Sequence, residues 1–261
     1  MVITSKDNEF VKHVKKLKEK KYREEYNEFI VEGIKMIQEA INEKAKIKQV
    51  IVCEDCKNSG GIPKDLLYEI AKYDCVYVSE KVFTQMTDVS NPQGVMAIID
   101  KSGTGEAEID FKADLLLVLD NIQDPGNMGT ILRTADSINL KQILVSKGTS
   151  DVYNPKVVRS TMGAIFRVKV IECENLVKTI KELKKHKINV YATDLKTDKS
   201  IYDVNYKKSA IVIGNEANGV SNEVLEAADL RIKIPMLGKT ESLNAAVATS
   251  IILYEAVRPN R

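Results

Sequence analysis

Three short stretches of this 261-residue chain concentrate residue types able to bind or react. The first, 120–135, reads DNIQDPGNMGTILRTA and carries Asn127 and Arg133. The second, GNEANGVS at 214–221, sets the acid Glu216 between Gly214 and Gly219, two glycines that permit unusual backbone angles and close approach of a ligand to the main chain. The third, IPMLGKTESLN at 234–244, carries Ile234, Met236, Ser242, Leu243 and Asn244 and runs into an apolar stretch. Ser242 and Asn244 fall where a helix should begin, and free N–H groups with short polar side chains there hold a polar ligand. Each stretch also has a plainer reading. Arg133 alone suits a solvated helix face, expected one turn into its helix, and Asn127 suits turn or cap chemistry beside Asp124, Pro125 and Gly126. The glycines, Ser221, Ser242 and Asn244 suit turns and caps.

The surrounding elements decide whether these stretches meet. Continuous apolar runs at 115–119, 143–145, 168–171, 190–192, 210–213 and 232–234 predict strands buried on both faces. Helical patterns lie between them, the clearest at 175–187, so residues 114–261 read as a mostly parallel sheet flanked by helices. The three stretches each follow a strand, and in an open α/β sheet ligands bind beyond the carboxyl ends of strands. Convergence at one sheet edge favours a site over three unrelated turns. Residues 1–100 read as a small α/β domain with short strands near 29–31, 47–53, 76–78 and 95–99, and a basic amphipathic helix is expected over 7–20. Residues 101–113, KSGTGEAEIDFKA, read as a linker.

Composition narrows the class. Lys plus Arg number 39 against 37 Asp plus Glu, so affinity for a polyanion must come from local patches such as Lys12 to Lys21, which also fits a solvated face. No window reaches about 18 consecutive apolar residues, and residues 245–257 read as a buried helix, so no membrane partner is expected. Four cysteines without disulfide-framework spacing fit a reducing cytoplasm, and Cys53-x-x-Cys56 lacks the further ligands of a zinc site, so no metal is expected. Neither G-x-G-x-x-G nor G-x-x-x-x-G-K-[ST] occurs, which argues against the usual dinucleotide and P-loop modes. His13 and His186 lie among lysines and do not look like acid–base groups.

Taken together, 120–135, 214–219 and 234–248 resemble in order and spacing the three signature motifs of the SpoU family of RNA 2′-O-ribose methyltransferases. Glu32-Gly33 and Asn91-Pro92-Gln93-Gly94 are similar to that family's small N-terminal RNA-binding domain. The resemblance implies a C-terminal trefoil knot, a homodimer, and S-adenosyl-L-methionine as cofactor. It implies that Gly214, Ile234 and Leu243 contact the cofactor, with Glu216, Gly219 and Met236, and that Asn127, Arg133, Glu216, Ser242 and Asn244 line the reaction site. The implied reaction is attack of a ribose hydroxyl on a sulfonium methyl group, and Arg133 then either grips a neighbouring phosphate or takes the hydroxyl proton. Ribosomal RNA is the expected substrate. The alternatives are transfer RNA, a non-catalytic RNA-binding or assembly protein retaining the fold, and a small-molecule enzyme on an α/β nucleotide fold.

Overall fold

A computed structural model describes residues 2–101 and 105–258. Contacts divide these residues into two units. One comprises residues up to 101 together with Tyr153–Phe166, and the other comprises 105–152 and 167–258.

The first unit is built on strands β1 (Val2–Ile3), β2 (Glu28–Glu32), β3 (Ile47–Cys53), β4 (Cys75–Val78) and β5 (Val95–Asp100), in the order β1-β4-β3-β5-β2. β5 runs antiparallel to both its neighbours, and the other pairs are parallel. The single basic helix expected over 7–20 is broken into Glu9–Lys16 and Lys20–Tyr26. Buried Arg23 causes the break. Its Nη1 donates to the carbonyls of Leu17 (2.8 Å) and Lys18 (2.7 Å), so these acceptors leave the helical ladder and the chain turns. The motif residues of this unit have structural tasks. Gln93 Oε1 accepts from Ile34 N (2.9 Å), capping the Ile34–Asn42 helix, and Gly33 (φ +101°) leaves room for it, since a Cβ there would lie 2.9 Å from that oxygen. Burial pushes the Glu32 carboxyl up from its usual range, and Thr87 Oγ1 donates to it at 2.6 Å.

The second unit carries the parallel sheet that the apolar runs predict. Its strands are β6 (Leu115–Asp120), β7 (Gln142–Ser146), β8 (Lys169–Cys173), β9 (Asn189–Thr193), β10 (Ser209–Gly214) and β11 (Leu230–Ile232), ordered β11-β9-β10-β6-β7-β8 and parallel throughout. Every residue of β7 and β10 is buried, as expected for strands covered on both faces. The last strand ends at Ile232, two residues before the expected Ile234. Pro235 lacks an N–H, and the chain is already in an irregular loop there, tied to the fold by Ile201 N donating to Lys233 O. The Ala245–Ala256 helix is buried on one side only. Ala246, Thr249, Ile252 and Leu253 face the core, whereas Val247 and Tyr254 are about half exposed. Among the described residues no helix is long and apolar enough to cross a membrane.

Register explains how the chain assembles a site. Gly214 at the end of β10 is level with Asp120 at the end of β6, so the loops that follow start side by side at the centre of the sheet. β9 and β11 end beside them.

Candidate active site

The loop after β6 leads into a helix over Pro125–Ser137. Asp124 is its N-cap, accepting from Asn127 N at 2.8 Å, with Pro125 in the first turn. Capping therefore does not need the Asn127 side chain, which is free for other bonds. Its Nδ2 donates to Glu216 Oε1 (2.8 Å), and its Oδ1 accepts from Asn244 Nδ2 (2.8 Å). Asn244 Oδ1 in turn caps the Ala245–Ala256 helix by accepting from Ala246 N (2.9 Å) and Val247 N (3.2 Å). Three of the five expected reaction-site residues, Asn127, Glu216 and Asn244, thus form one chain of hydrogen bonds joining three loops. Asn244 caps its helix through Oδ1 and joins Asn127 through Nδ2.

Glu216 also accepts from Gln123 N and Asp124 N, each at 3.1 Å. Burial pushes its carboxyl upward, but the Asn127 amide and the two backbone donors outweigh that and hold it below its usual range. The turn that carries it folds back over β10: Asn215 N donates to Gly219 O (3.0 Å) and Gly219 N to Asn215 O (2.9 Å). Only glycine fits beneath. A Cβ on Gly214 would lie 2.0 Å from the Gly219 carbonyl carbon and the Val220 nitrogen.

Beside this turn lies a cavity of about 380 Å³, within the range of small-molecule sites. Its lining includes all six residues expected at the cofactor, Gly214, Glu216, Gly219, Ile234, Met236 and Leu243, and also Ser242. Leu225, Ile232 and Ile252 supply an apolar floor, and Thr193 to Lys196 after β9 supply another wall. The donor set suits a group with an apolar or aromatic body and several polar atoms, as a sulfonium nucleoside has. Ser242 lies outside the helix cap and has no hydrogen bond among the described residues.

Arg133 is elsewhere. It lies about two turns into its helix rather than one, on an exposed face, and it is absent from the cavity lining. No hydrogen bond or ion pair engages its side chain among the described residues.

Residues beyond the expected set hold the loops together. Gln123 Nε2 donates to Asn121 Oδ1 (2.6 Å) and Gly148 O (2.7 Å), and Asn215 Nδ2 donates to Asn121 O (2.9 Å). Buried Asp120 accepts from Ser221 N (2.8 Å). Asn121 (φ +61°) is the one signal of this set that sequence offers, since asparagine tolerates the left-handed region.

Comparison with known proteins gives these loops a family. Residues 114–254 match the SpoU rRNA Methylase family, and residues 8–97 match the MRM3-like substrate binding domain. The chain belongs to the SpoU rRNA methylase family. This SpoU methylase is 35% identical over 253 residues to the 23S rRNA (guanosine(2553)-2′-O)-methyltransferase RlmP of Bacillus subtilis, covering 97% of both chains. It is also similar to the AdoMet-bound rRNA methyltransferase of Sinorhizobium meliloti, with 29% identity, a TM-score of 0.87, and coverage of 99% of this chain and 97% of that one. The SpoU methyltransferase AviRb of Streptomyces viridochromogenes, solved with AdoMet, gives a TM-score of 0.87 at 25% identity, over 96% of this chain and 97% of that one. The cavity at the ends of β9, β10 and β11 of this SpoU methylase is lined by two of the three family loops, and the first loop is tied to them through the Asn127 bonds to Glu216 and Asn244.

Proposed function

We propose that this SpoU methylase transfers a methyl group from S-adenosyl-L-methionine to a ribose 2′-hydroxyl of ribosomal RNA, as a homodimer in which Arg133 of one protomer completes the site of the other. The enzyme class is RNA (ribose-2′-O)-methyltransferase, and the relatives named above carry this activity or this cofactor in their descriptions. The observation that carries the reading is the Glu216–Asn127–Asn244 chain at the rim of the cavity.

When bound, the cofactor supplies a methyl group on a positively charged sulfur. The protein has to hold the hydroxyl in line with it and shield the pair from water. Gly214, Gly219, Ile234, Met236 and Leu243 form the cradle. Glu216 accepts three N–H groups, and both ends of the Asn127 amide are engaged, so these two residues shape the site rather than take the proton. Arg133 and Ser242 are the expected reaction-site side chains left without protein partners, and they are the ones assigned to the RNA. A guanidinium in water keeps its charge and presents a planar fork, which suits a phosphate beside the target nucleotide.

Arg133 does not line its own cavity and no protein group engages its side chain among the described residues, which supports use of the partner's site. An apolar stripe of Val247, Ile251 and Tyr254 on the last helix, beside the Arg133 helix through Thr134 and Ser250 (2.9 Å), supplies a self-complementary face for a two-fold dimer. The reading includes the family's C-terminal knot. Its support is that the stretch from Lys233 to Asn244 returns Ile234, Met236, Ser242 and Leu243 to the 214–219 turn without forming a strand of the sheet. The first unit serves as the RNA-binding part.

Mixing two inactive variants tests the arrangement. Arg133→Ala and Glu216→Gln protomers, exchanged by partial unfolding and refolding, should recover about a quarter of wild-type methyl transfer, because half the dimers are mixed and each has one intact site. No recovery from a mixture shown to contain mixed dimers would return Arg133 to its own subunit.

A further inference from the structure

The edge of the second sheet opposite the cavity is lined with lysines. The amino ends of neighbouring strands are level: Asn189, Ser209 and Leu115 pair across β9, β10 and β6, and Asn189 N donates to Lys208 O while Lys169 N donates to Lys141 O. Immediately before these strands stand Lys187, Lys207, Lys208, Lys112 and Lys141. Four of them are exposed and Lys208 half-buried, and none of their ammonium groups has an acidic partner among the described residues, although the Lys112 backbone N–H donates to Asp110 Oδ1 at 2.9 Å. The carboxylates near the same edge without an ion pair include Asp110, Asp114 and, in the last turn before β11, Glu226; Glu108, Glu182 and Asp229 are taken by Lys169, Lys185 and Lys184. In a chain of net charge +2, this is a local cationic excess.

Two further observations point the same way. Lys187 (φ +61°) and Lys208 (φ +53°) hold left-handed backbone, where glycine or asparagine is cheaper, so lysine there carries a conformational cost. Within the row, the exposed His186 ring stacks on Phe111 with centroids 4.1 Å apart and an interplanar angle of 14°. Lysines at strand spacing of about 4.8 Å, interrupted by a flat aromatic pair, match a nucleic-acid backbone with an accessible base better than a protein surface.

We infer that this edge is a second RNA-binding surface, which grips the phosphate backbone of the substrate at a point remote from the methylated nucleotide. The inference rests on the RNA methyltransferase reading and deepens it. The six residues of β6 separate the two edges by about 20 Å, so the substrate has to be a folded RNA that reaches both, not an isolated nucleotide or short strand.

The test uses the full chain with Lys187→Gln, Lys207→Gln and Lys208→Gln combined. None of these residues belongs to the cavity or its loops. Binding to a 23S ribosomal RNA transcript is measured against salt, with cofactor titration and thermal unfolding showing that the second unit is intact. Three lost phosphate contacts should flatten the log–log salt dependence by about 2.1 to 2.7, so that between about 50 and 200 mM salt the wild type loses some 20- to 40-fold more affinity than the variant. An unchanged slope overturns the inference. Labelled-methyl transfer to the same transcript by the wild type separates the two claims: no transfer removes the methyltransferase reading, whereas normal transfer with an unchanged slope removes this surface alone.

Discussion

Replacing Gly214 by alanine tests whether the turn bearing Glu216 is held over β10 by close packing. The new Cβ would lie 2.0 Å from the Gly219 carbonyl carbon and the Val220 nitrogen, where ordinary contact begins at 3.4 Å, so the backbone must retreat by about 1.4 Å. These are main-chain atoms and cannot rotate away. The retreat breaks the two Asn215–Gly219 backbone bonds, worth about 1 kcal/mol each, and draws Ser221 N from the Asp120 carboxylate, worth about 1.5–3 kcal/mol. A loop that must pay about 4 kcal/mol to close should bind S-adenosyl-L-methionine several hundred-fold more weakly. Isothermal titration reads this directly, with circular dichroism checking that the sheet remains. Gly219→Ala is the control: nothing lies within 4 Å of its Cβ position, and its φ of +70° costs about 1–2 kcal/mol. If Gly214→Ala binds the cofactor within threefold of wild type, the close packing of the turn does not organise the site.

Three other outcomes follow from the same geometry. Asn127→Ala removes the bonds to both Glu216 and Asn244, and with Glu216 on an exposed turn the loss should be about 2 kcal/mol, seen as a roughly 30-fold fall in kcat with a smaller change in cofactor KM; equal loss in KM alone would assign Asn127 to cofactor binding. Because the Glu216 carboxyl is held below its usual range, its contribution is fully present above the ordinary carboxylate pKa and is lost as pH falls through the lower folded value, so cofactor affinity should persist through the pH at which free glutamate protonates; an earlier loss that Glu216→Gln abolishes would contradict this. Burial pushes the Cys56 thiol to about 12 and Cys173 to about 11, so the native protein should react slowly with iodoacetamide at neutral pH and quickly once unfolded; rapid native labelling at either position would refute the burial argument.

How much of this was legible in the sequence varies with the range of the cause. The buried strands of the second sheet were, because a strand covered on both faces needs a continuous apolar run, and those of β6 and β10 are uninterrupted. The three loops were legible as a group, since each follows such a run. The bonds of the Asn127 side chain were not, because they depend on Asp124 taking the capping bond and on partners 89 and 117 residues away. Gln123 and Asn215 went unnoticed for the same reason: their bonds join loops from different strands. Local pattern predicts one continuous helix over 7–20 and gives no sign of the break at Leu17, which depends on one buried arginine, and it sets the end of β11 two residues late. The last helix is apolar nearly all round, which reads as full burial, whereas Val247 and Tyr254 are about half exposed.

The most direct measurement of the central claim is the transfer of a labelled methyl group from S-adenosyl-L-methionine to a 23S ribosomal RNA transcript, followed by alkaline hydrolysis. A ribose 2′-O-methyl group blocks cleavage of the adjoining phosphodiester, so the label is expected in an alkali-resistant dinucleotide, and Arg133→Ala should form almost none of it on saturating RNA. Label in alkali-labile mononucleotides would place the methyl group on a base, and a fully active Arg133→Ala variant would remove the residue assigned to hold the RNA; either result contradicts the account.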